Sequence, residues 1–412
     1  MSEIRPFRGF RPRRDLVEQV ASPPYDVLNS KEARKMAAEN PHSFLHVVKA
    51  EIDLPEGASL YGEEVYEKSR ENLLSMIENG VLARDERECF YVYELQMGGH
   101  RQRGLVAGAS AEEYANGTIR KHEHTRREKE DDRARHMEVL EANAGPVLFT
   151  YRAQTGIRAI IDDICSAEPC FDFSADDGVG HRLWKVSDPG TILGIRAAFE
   201  QVPALYVADG HHRSASAHRV RDLFRDRNPE HTGEEAYNHF LAVIFPDDEL
   251  QILGYHRVIR DLNGLSPDDL LGKIGEKFRL SPCEAGEPGS ALCFRMFLDG
   301  QWYHLEALEG SFPAEDPVRS LDVAILQENL LAPILGIGDP RSDSRIDFVG
   351  GIRGIAELER RCSEDMKIAF VCHPVSVEQL MTIADSGEVM PPKSTWFEPK
   401  LRSGVVVRSL KD

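Results

Sequence analysis

The sequence predicts an α+β protein of mixed sheets, with hairpins and packed helices. Two observations lead there. Pairs of short apolar runs separated by turn residues recur along the chain. Helical stretches fall irregularly between them, without the strict strand and helix alternation of a doubly wound sheet. At 412 residues the chain is long enough for two or three domains or subdomains. The expected cuts give an N-terminal region 1–150, a central core 151–265 and a C-terminal region 266–412.

Taken in order, Ser22-Pro23-Pro24-Tyr25-Asp26-Val27 fixes an extended backbone before a helix-like stretch from Ser30 to Asn40, which Pro41 stops. Tyr61 to Gly80 reads as an amphipathic helix, with Val65, Leu73, Leu74 and Ile77 near helical spacing and Gly80 as its stop. Phe90–Leu95 and Leu105–Ala109 read as a hairpin around Gly98-Gly99. The densely charged stretch from Arg120 to Asn143 is expected to be helical, and Val147–Tyr151 a strand. Ala204–Ala208 reads as a strand that turns through Asp209-Gly210 into a helix carrying Ala217, Val220 and Phe224. Two further hairpins are expected: Phe240–Phe245 with Leu250–Leu253, and Leu292–Leu298 with Trp302–Leu305. Ile368–Cys372, a helix at Val377–Ala384 closed by Gly387, and a strand at Val405–Val407 complete the chain.

Hydrophobic residues at 41% and charged residues at 29% are those of an ordinary folded protein. The 69 acidic against 50 basic residues give a net charge of -19, which repels a nucleic-acid backbone, so no nucleic-acid partner is expected. The arginines between Arg5 and Arg14 are too few to reverse that sign. Seven scattered cysteines without a C-x-x-C pair read as reduced thiols. With no apolar signal core and no long apolar run, a cytoplasmic protein without a membrane partner is expected.

Three segments carry candidate chemistry. A strand leading through Asp209-Gly210 into a helix gathers backbone N–H groups and the side chains of His211, His212 and Arg213 around one anion-attracting point. Gly210 allows close approach, Arg213 can grip a phosphate, and Asp209 can hold magnesium or accept a proton. The plainer alternative is an Asp helix cap with surface histidines. The second segment crowds Lys121, His122, Glu123, His124, Lys129, Asp132, Arg133 and His136 together. Glu123 is the candidate general base and Asp132 a candidate metal ligand, since phosphoryl transfer uses carboxylates for both tasks. The other charges suit a solvated helix face, and zinc on His122, His124 and His136 is a weaker alternative. The third segment, Met390 to Phe397, offers Lys393 to phosphate from a proline-stiffened loop, or simply supplies core aromatics and a surface lysine.

The motifs Ser22-Pro23-Pro24-Tyr25-Asp26-Val27, His122-Glu123-His124-Thr125, Asp209-Gly210-His211-His212-Arg213, Phe245-Pro246-Asp247, His256-Arg257 and Pro391-Pro392-Lys393-Ser394-Thr395 together resemble the bacterial family called domain of unknown function 1015. The resemblance spans nearly the whole chain. That family is in turn similar to the ParB and sulfiredoxin fold group, on the Asp209 to Arg213 segment alone. It implies a ParB/sulfiredoxin-like nucleotide-binding core. Free serine kinases of that group carry a similar Asp-Gly-x-His-Arg turn and phosphorylate free L-serine with ADP or ATP. By this similarity His212 and Arg213 match phosphate-binding positions, while the kinases' catalytic glutamate finds no aligned counterpart. Glu123 is chosen on chemistry, with Glu51 as its rival.

The expected function is therefore a magnesium- and ATP- or ADP-dependent phosphotransferase acting on a small hydroxyl compound. Its catalytic residues would be Glu123, Asp209 and His212. Gly210, His211, His212, Arg213 and Lys393 would bind the nucleotide, and Asp209 and Asp132 the metal. A nucleotide-gated regulatory protein and a metal-dependent hydrolase are the alternatives, and a homodimer is left open.

Overall fold

The computed structural model describes residues 2–411. It has two compact units, one running to Leu250 and resuming at Pro399, the other spanning Gln251–Glu398. The expected cuts at 150 and 265 are replaced by these, because position 150 lies inside a strand of a sheet that spans both sides of it.

The first unit is built on a nine-stranded sheet. Its strands are β1 (Ile4–Arg5), β2 (Phe90–Met97), β3 (His100–Ser110), β4 (Ile119–Arg120), β5 (Val147–Tyr151), β6 (Phe171–Ser174), β7 (Gly180–Val186), β8 (Leu205–Asp209) and β9 (His239–Pro246). They lie in the order β4-β8-β5-β9-β3-β2-β7-β6, with β1 paired to β3. The hairpin β2–β3 forms as the sequence indicates. Two pairs, β4 with β8 and β5 with β9, are parallel. Helices α1 (Ser30–Ala37), α2 (Glu63–Glu78), α3 (Arg127–Leu140) and α4 (His211–Arg227) belong to the same unit. A capping box between Asn29 and Glu32 starts α1.

Continuous apolar strands such as β8 and β9 are buried on both faces. Phe149, Leu205, Val207, Phe240 and Ile244 belong to one core cluster. Truncating a fully buried member such as Leu205 to Ala would cost about 2–5 kcal/mol.

Three local expectations are corrected. The helix expected across 120–143 begins only at Arg127, leaving 121–126 as a loop. Phe240–Phe245 and Leu250–Leu253 form no hairpin, since β9 pairs with β3 and β5 while Gln251–Leu253 pairs with Trp396–Glu398. Val405–Val407 forms no strand beyond a single bridge from Val407 to Phe10.

The second unit carries a six-stranded antiparallel sheet in the order Phe278–Cys283, Gln301–Ala307, Cys293–Leu298, Ile368–Cys372, Tyr255–Ile259, Ile346–Gly350. The hairpin around Asp299-Gly300 is present, and Gly387 in the left-handed region closes the helix Val377–Ser386. The architecture is α+β, as the sequence predicts. All seven cysteines are free. Among the described residues, no helix is long and apolar enough to cross a membrane.

Candidate functional site

Strands β4 and β8 run parallel, Ile119 beside Leu205 and Arg120 beside Tyr206. Their C-terminal ends open on the same edge of the sheet. The 121–126 loop is thereby brought beside the turn at Gly210, the arrangement by which open sheets gather ligand-binding loops. The pairing of β8 with β5 shifts register between Val207 and Asp209, an irregularity of the kind that re-aims a side chain. Gly210 follows with φ +101, and a Cβ there would meet Arg213 Nε and Val147 Cγ1 at 3.2 Å. Only glycine adopts this backbone without strain, and it lets the chain enter α4 directly.

One side of the turn is charged. Lys400 Nζ donates to Asp209 Oδ2 at 3.0 Å. Arg213 Nη2 lies 3.9 Å from Asp209 and 3.9 Å from Asp26, while its Nη1 donates to the Pro146 carbonyl. Burial alone would raise the Asp209 carboxyl, but Lys400 and then Arg213 outweigh it and hold the group well below the usual carboxylate range. Asp209 is therefore ionised at neutral pH. Arg213 also lines a small cleft with Tyr25, Arg133, His136, Asn143 and Ser403. There Arg133 stacks over the Tyr25 ring, 4.1 Å from its centroid.

The other side of the turn is nearly neutral. His122 and His211 are 1% and 4% exposed, and their rings meet edge to face with centroids 4.4 Å apart. His211 Nδ1 lies 3.8 Å from Glu123 Oε2. Both ring nitrogens of His122, and Nε2 of His211, have no hydrogen-bond partner among the described residues. A buried polar atom left unbonded costs about 1–3 kcal/mol. Burial pushes His122 down to about 4, with the Val207 backbone, near but outside hydrogen-bond geometry, and Asp209 pulling the other way. His211 is held well below the usual imidazole value by burial and then by the neighbouring His122. Both rings are neutral at physiological pH, and each keeps a nitrogen lone pair.

The structure thus brings Glu123, Asp209, Gly210, His211, His212 and Arg213 around one turn. His212 uses its Nε2 to accept the Arg126 backbone N–H at 3.1 Å, fastening the 121–126 loop to α4. Asp132, the expected metal ligand, is instead engaged by protein groups: Tyr66 Oη donates to it at 3.0 Å and Arg133 Nε at 2.7 Å, one to each of its oxygens. Magnesium prefers several available oxygen ligands. Asp209, facing an ammonium and a guanidinium, fits a resident magnesium ion no better. Lys393 belongs to the second unit, where its Nζ lies 5.5 Å from the Tyr255 ring centroid and its carbonyl accepts from Arg257 at 3.0 Å.

The zinc set His122, His124 and His136 does not form. His124 is exposed, and His136 Nε2 lies 3.0 Å from Ser69 Oγ and 3.2 Å from the Val47 carbonyl. Glu51 lines another cleft, accepts from Ser30 Oγ at 2.7 Å and pairs with Lys49.

Sequence reasoning missed Lys400, the cation that reaches Asp209, and the pairing of His122 with His211. A lysine directly after Pro399 was the only signal for the first. For the second there was no local signal, because the strand before His122 is only two residues long.

No curated protein matches this chain. Three solved structures that match it are a conserved hypothetical protein from Pyrococcus furiosus, free serine kinase in complex with AMP, and SbnI with a C-terminal truncation from Staphylococcus aureus. The Pyrococcus protein is 13% identical with a TM-score of 0.35, over 74% of this chain and 95% of its own. The kinase is 11% identical with a TM-score of 0.36, over 75% and 91%. SbnI is 12% identical with a TM-score of 0.37, over 71% and 82%. Similarities of this size carry no assignment of activity. The family model is decisive where they are not: it matches residues 4–324, and the chain belongs to the family described as protein of unknown function, DUF1015.

Proposed function

We propose that this protein is a nucleotide-dependent phosphotransferase acting on a small hydroxyl compound, with free L-serine as the first acceptor to test. The observation that carries the reading is the strand, Gly210 and helix turn, with Arg213 and Lys400 fixed around Asp209 and Glu123 beside it. ATP or ADP is the co-substrate, its phosphates meeting the first backbone N–H groups of α4 together with Lys400 and Arg213. In this reading Asp209 holds the two cations in place. Taking the first unit as ParB/sulfiredoxin-like belongs to the same proposal and rests on the same turn.

Glu123 takes the acceptor's hydroxyl proton. The acceptor oxygen forms the new bond to phosphorus as the bond to the nucleotide's bridging oxygen breaks. That oxygen leaves with the electron pair, and Arg213 and Lys400 meet its charge. A magnesium ion enters only as the nucleotide's own counter-ion, and no step is assigned to it.

The test is transfer from ATP and from ADP, with magnesium, to a panel of small hydroxyl compounds that includes L-serine. Wild type is compared with Arg213→Ala, Lys400→Met and Glu123→Gln. A phosphorylated product that falls at least about 100-fold in the three variants is expected. Nucleotide binding without product would move the reading to a nucleotide-gated regulator, and absence of nucleotide binding would remove the phosphate site altogether. Lys393→Met, in the second unit, tests whether transfer draws on that loop.

A further inference from the structure

A second chemistry is built into the neutral side of the turn. The ligand atoms of His122, Glu123 and His211 all lie within 4.8 Å of one another. Two imidazoles and one carboxylate are the donor set of divalent first-row transition metals, especially zinc, which takes nitrogen and oxygen ligands and leaves a position open when the protein supplies only three. The hard cations magnesium and calcium instead want oxygen throughout.

Two independent features point the same way. His122 is 1% exposed with neither ring nitrogen hydrogen-bonded among the described residues, and His211 is 4% exposed with Nε2 likewise unbonded. His239, His256 and His304 each leave one buried ring nitrogen unbonded, whereas His122 leaves both; His136 reaches Ser69 and the Val47 carbonyl, and His181 Nδ1 lies 2.8 Å from Tyr93 Oη. The backbone also holds the three residues as a unit. His122 and Glu123 come from the loop after β4 and His211 from the first turn of α4, and the His212 to Arg126 bond ties that loop to that helix.

We propose that His122, Glu123 and His211 bind one divalent first-row transition metal ion through two imidazole nitrogens and a carboxylate oxygen, with a position open to substrate. The site shares Glu123 with the phosphoryl-transfer reading but needs neither Arg213 nor Lys400. Were both correct, Glu123 would serve the reaction as a ligand of the metal.

The test uses the tag-free full chain, stripped of metal with a chelator and titrated with Co²⁺ in the absence of nucleotide. Visible absorption reports the site, and Zn²⁺ is then added in competition. One equivalent of Co²⁺ should bind with new visible absorption and be displaced by Zn²⁺. Affinity should fall about 100-fold or more in His122→Gln, Glu123→Gln and His211→Asn. His124→Gln, an exposed neighbour in the same loop, should bind as wild type, which separates this site from surface histidine chelation. Circular dichroism and thermal unfolding establish which variants fold. Glu123 is a partly exposed loop residue, so Glu123→Gln decides the matter if the buried histidine variants do not fold. Absence of binding in the wild type overturns the proposal, as does wild-type affinity in folded Glu123→Gln.

Discussion

Replacing Lys400 with methionine removes the ammonium from Asp209 while keeping most of the side chain's bulk. The pair is 3.0 Å long, with side chains 18% and 33% exposed, between the surface regime and full burial. A hydrogen bond between charged groups in such a setting is worth about 1.5–3 kcal/mol. Lys400→Met should therefore cost about 2 kcal/mol, because Asp209 keeps only Arg213 at 3.9 Å. Asp209→Asn alone removes the same attraction, so the double variant should cost less than the sum of the singles, leaving a coupling of about 1–2 kcal/mol.

The chain has two units and need not unfold in one step. The first unit is followed through Trp184 in a background carrying Trp302→Phe and Trp396→Phe, which lie in the second. Urea midpoints then give the cycle. The pH arm fixes the sign. The folded Asp209 carboxyl sits below its unfolded value of about 3.9. Its stabilisation is thus fully present above that value and lost as pH falls through the folded one. The gap between wild type and Lys400→Met should stay constant from about pH 5 to 8 and narrow only below about 4. A coupling under about 0.5 kcal/mol, or a gap that closes between those two pH values, refutes the pair as the organiser of the turn.

Two other perturbations follow from the same region. Gly210→Ala must hold φ +101 and place a methyl 3.2 Å from Arg213 Nε and Val147 Cγ1, so it should cost about 1–3 kcal/mol; an unchanged urea midpoint would show that the turn relaxes freely. The buried histidines set the acid limb of stability. Burial holds His122 at about 4, and burial with a nearby arginine holds His136 and His181 at about 3. Their unfolded values lie near 6.5, so their contribution is complete above about pH 6.5 and is lost progressively as pH falls toward 4 and 3. Glu113, raised by burial to about 7, works in the opposite sense. The urea midpoint should decline steadily below about pH 6 and the slope should ease in His181→Gln; a midpoint flat down to about pH 4.5 would sink this account.

What was legible in the sequence was local. The apolar run ending at Ala208, the Asp209-Gly210 pair and the helical spacing of Ala217, Val220 and Phe224 each report on neighbours a few residues away, and β8, the turn and α4 follow from them. The β2–β3 hairpin is local in the same sense. The failures are long-range. Phe240–Phe245 and Leu250–Leu253 look like hairpin arms because the residues between them suit a turn, yet β9 takes its partners from 105–110 and 147–151. Strand β4 is only two residues long, too short to leave a period. Without it, nothing in the sequence placed His122 beside His211. Charge density drew the helix start back to 120, which put Glu123 inside a helix. With the helix starting at Arg127, Glu123 instead sits in a loop fastened by the Arg126 backbone to His212. Lys400 lies 191 residues from Asp209 in the chain, and no local pattern carries that contact.

The two proposed chemistries at the turn share one geometric origin. Successive residues of a helix point about 100° apart, so His211 and Arg213, two positions apart at the start of α4, face nearly opposite ways. His211 packs edge to face against His122, where burial keeps the imidazoles neutral and their lone pairs available. Arg213 enters the charged side, fixed by the Pro146 carbonyl and the carboxylates of Asp26 and Asp209. His212, between them, is bonded to the loop that carries Glu123. An anionic group would be drawn to the guanidinium side, where counter-charge is already oriented. A neutral hydroxyl or a metal ion suits the imidazole side, where two neutral rings offer nitrogen lone pairs. In the two proposals, one helix start, entered through a glycine that no other residue replaces without strain, would thus sort two kinds of ligand by charge onto opposite sides.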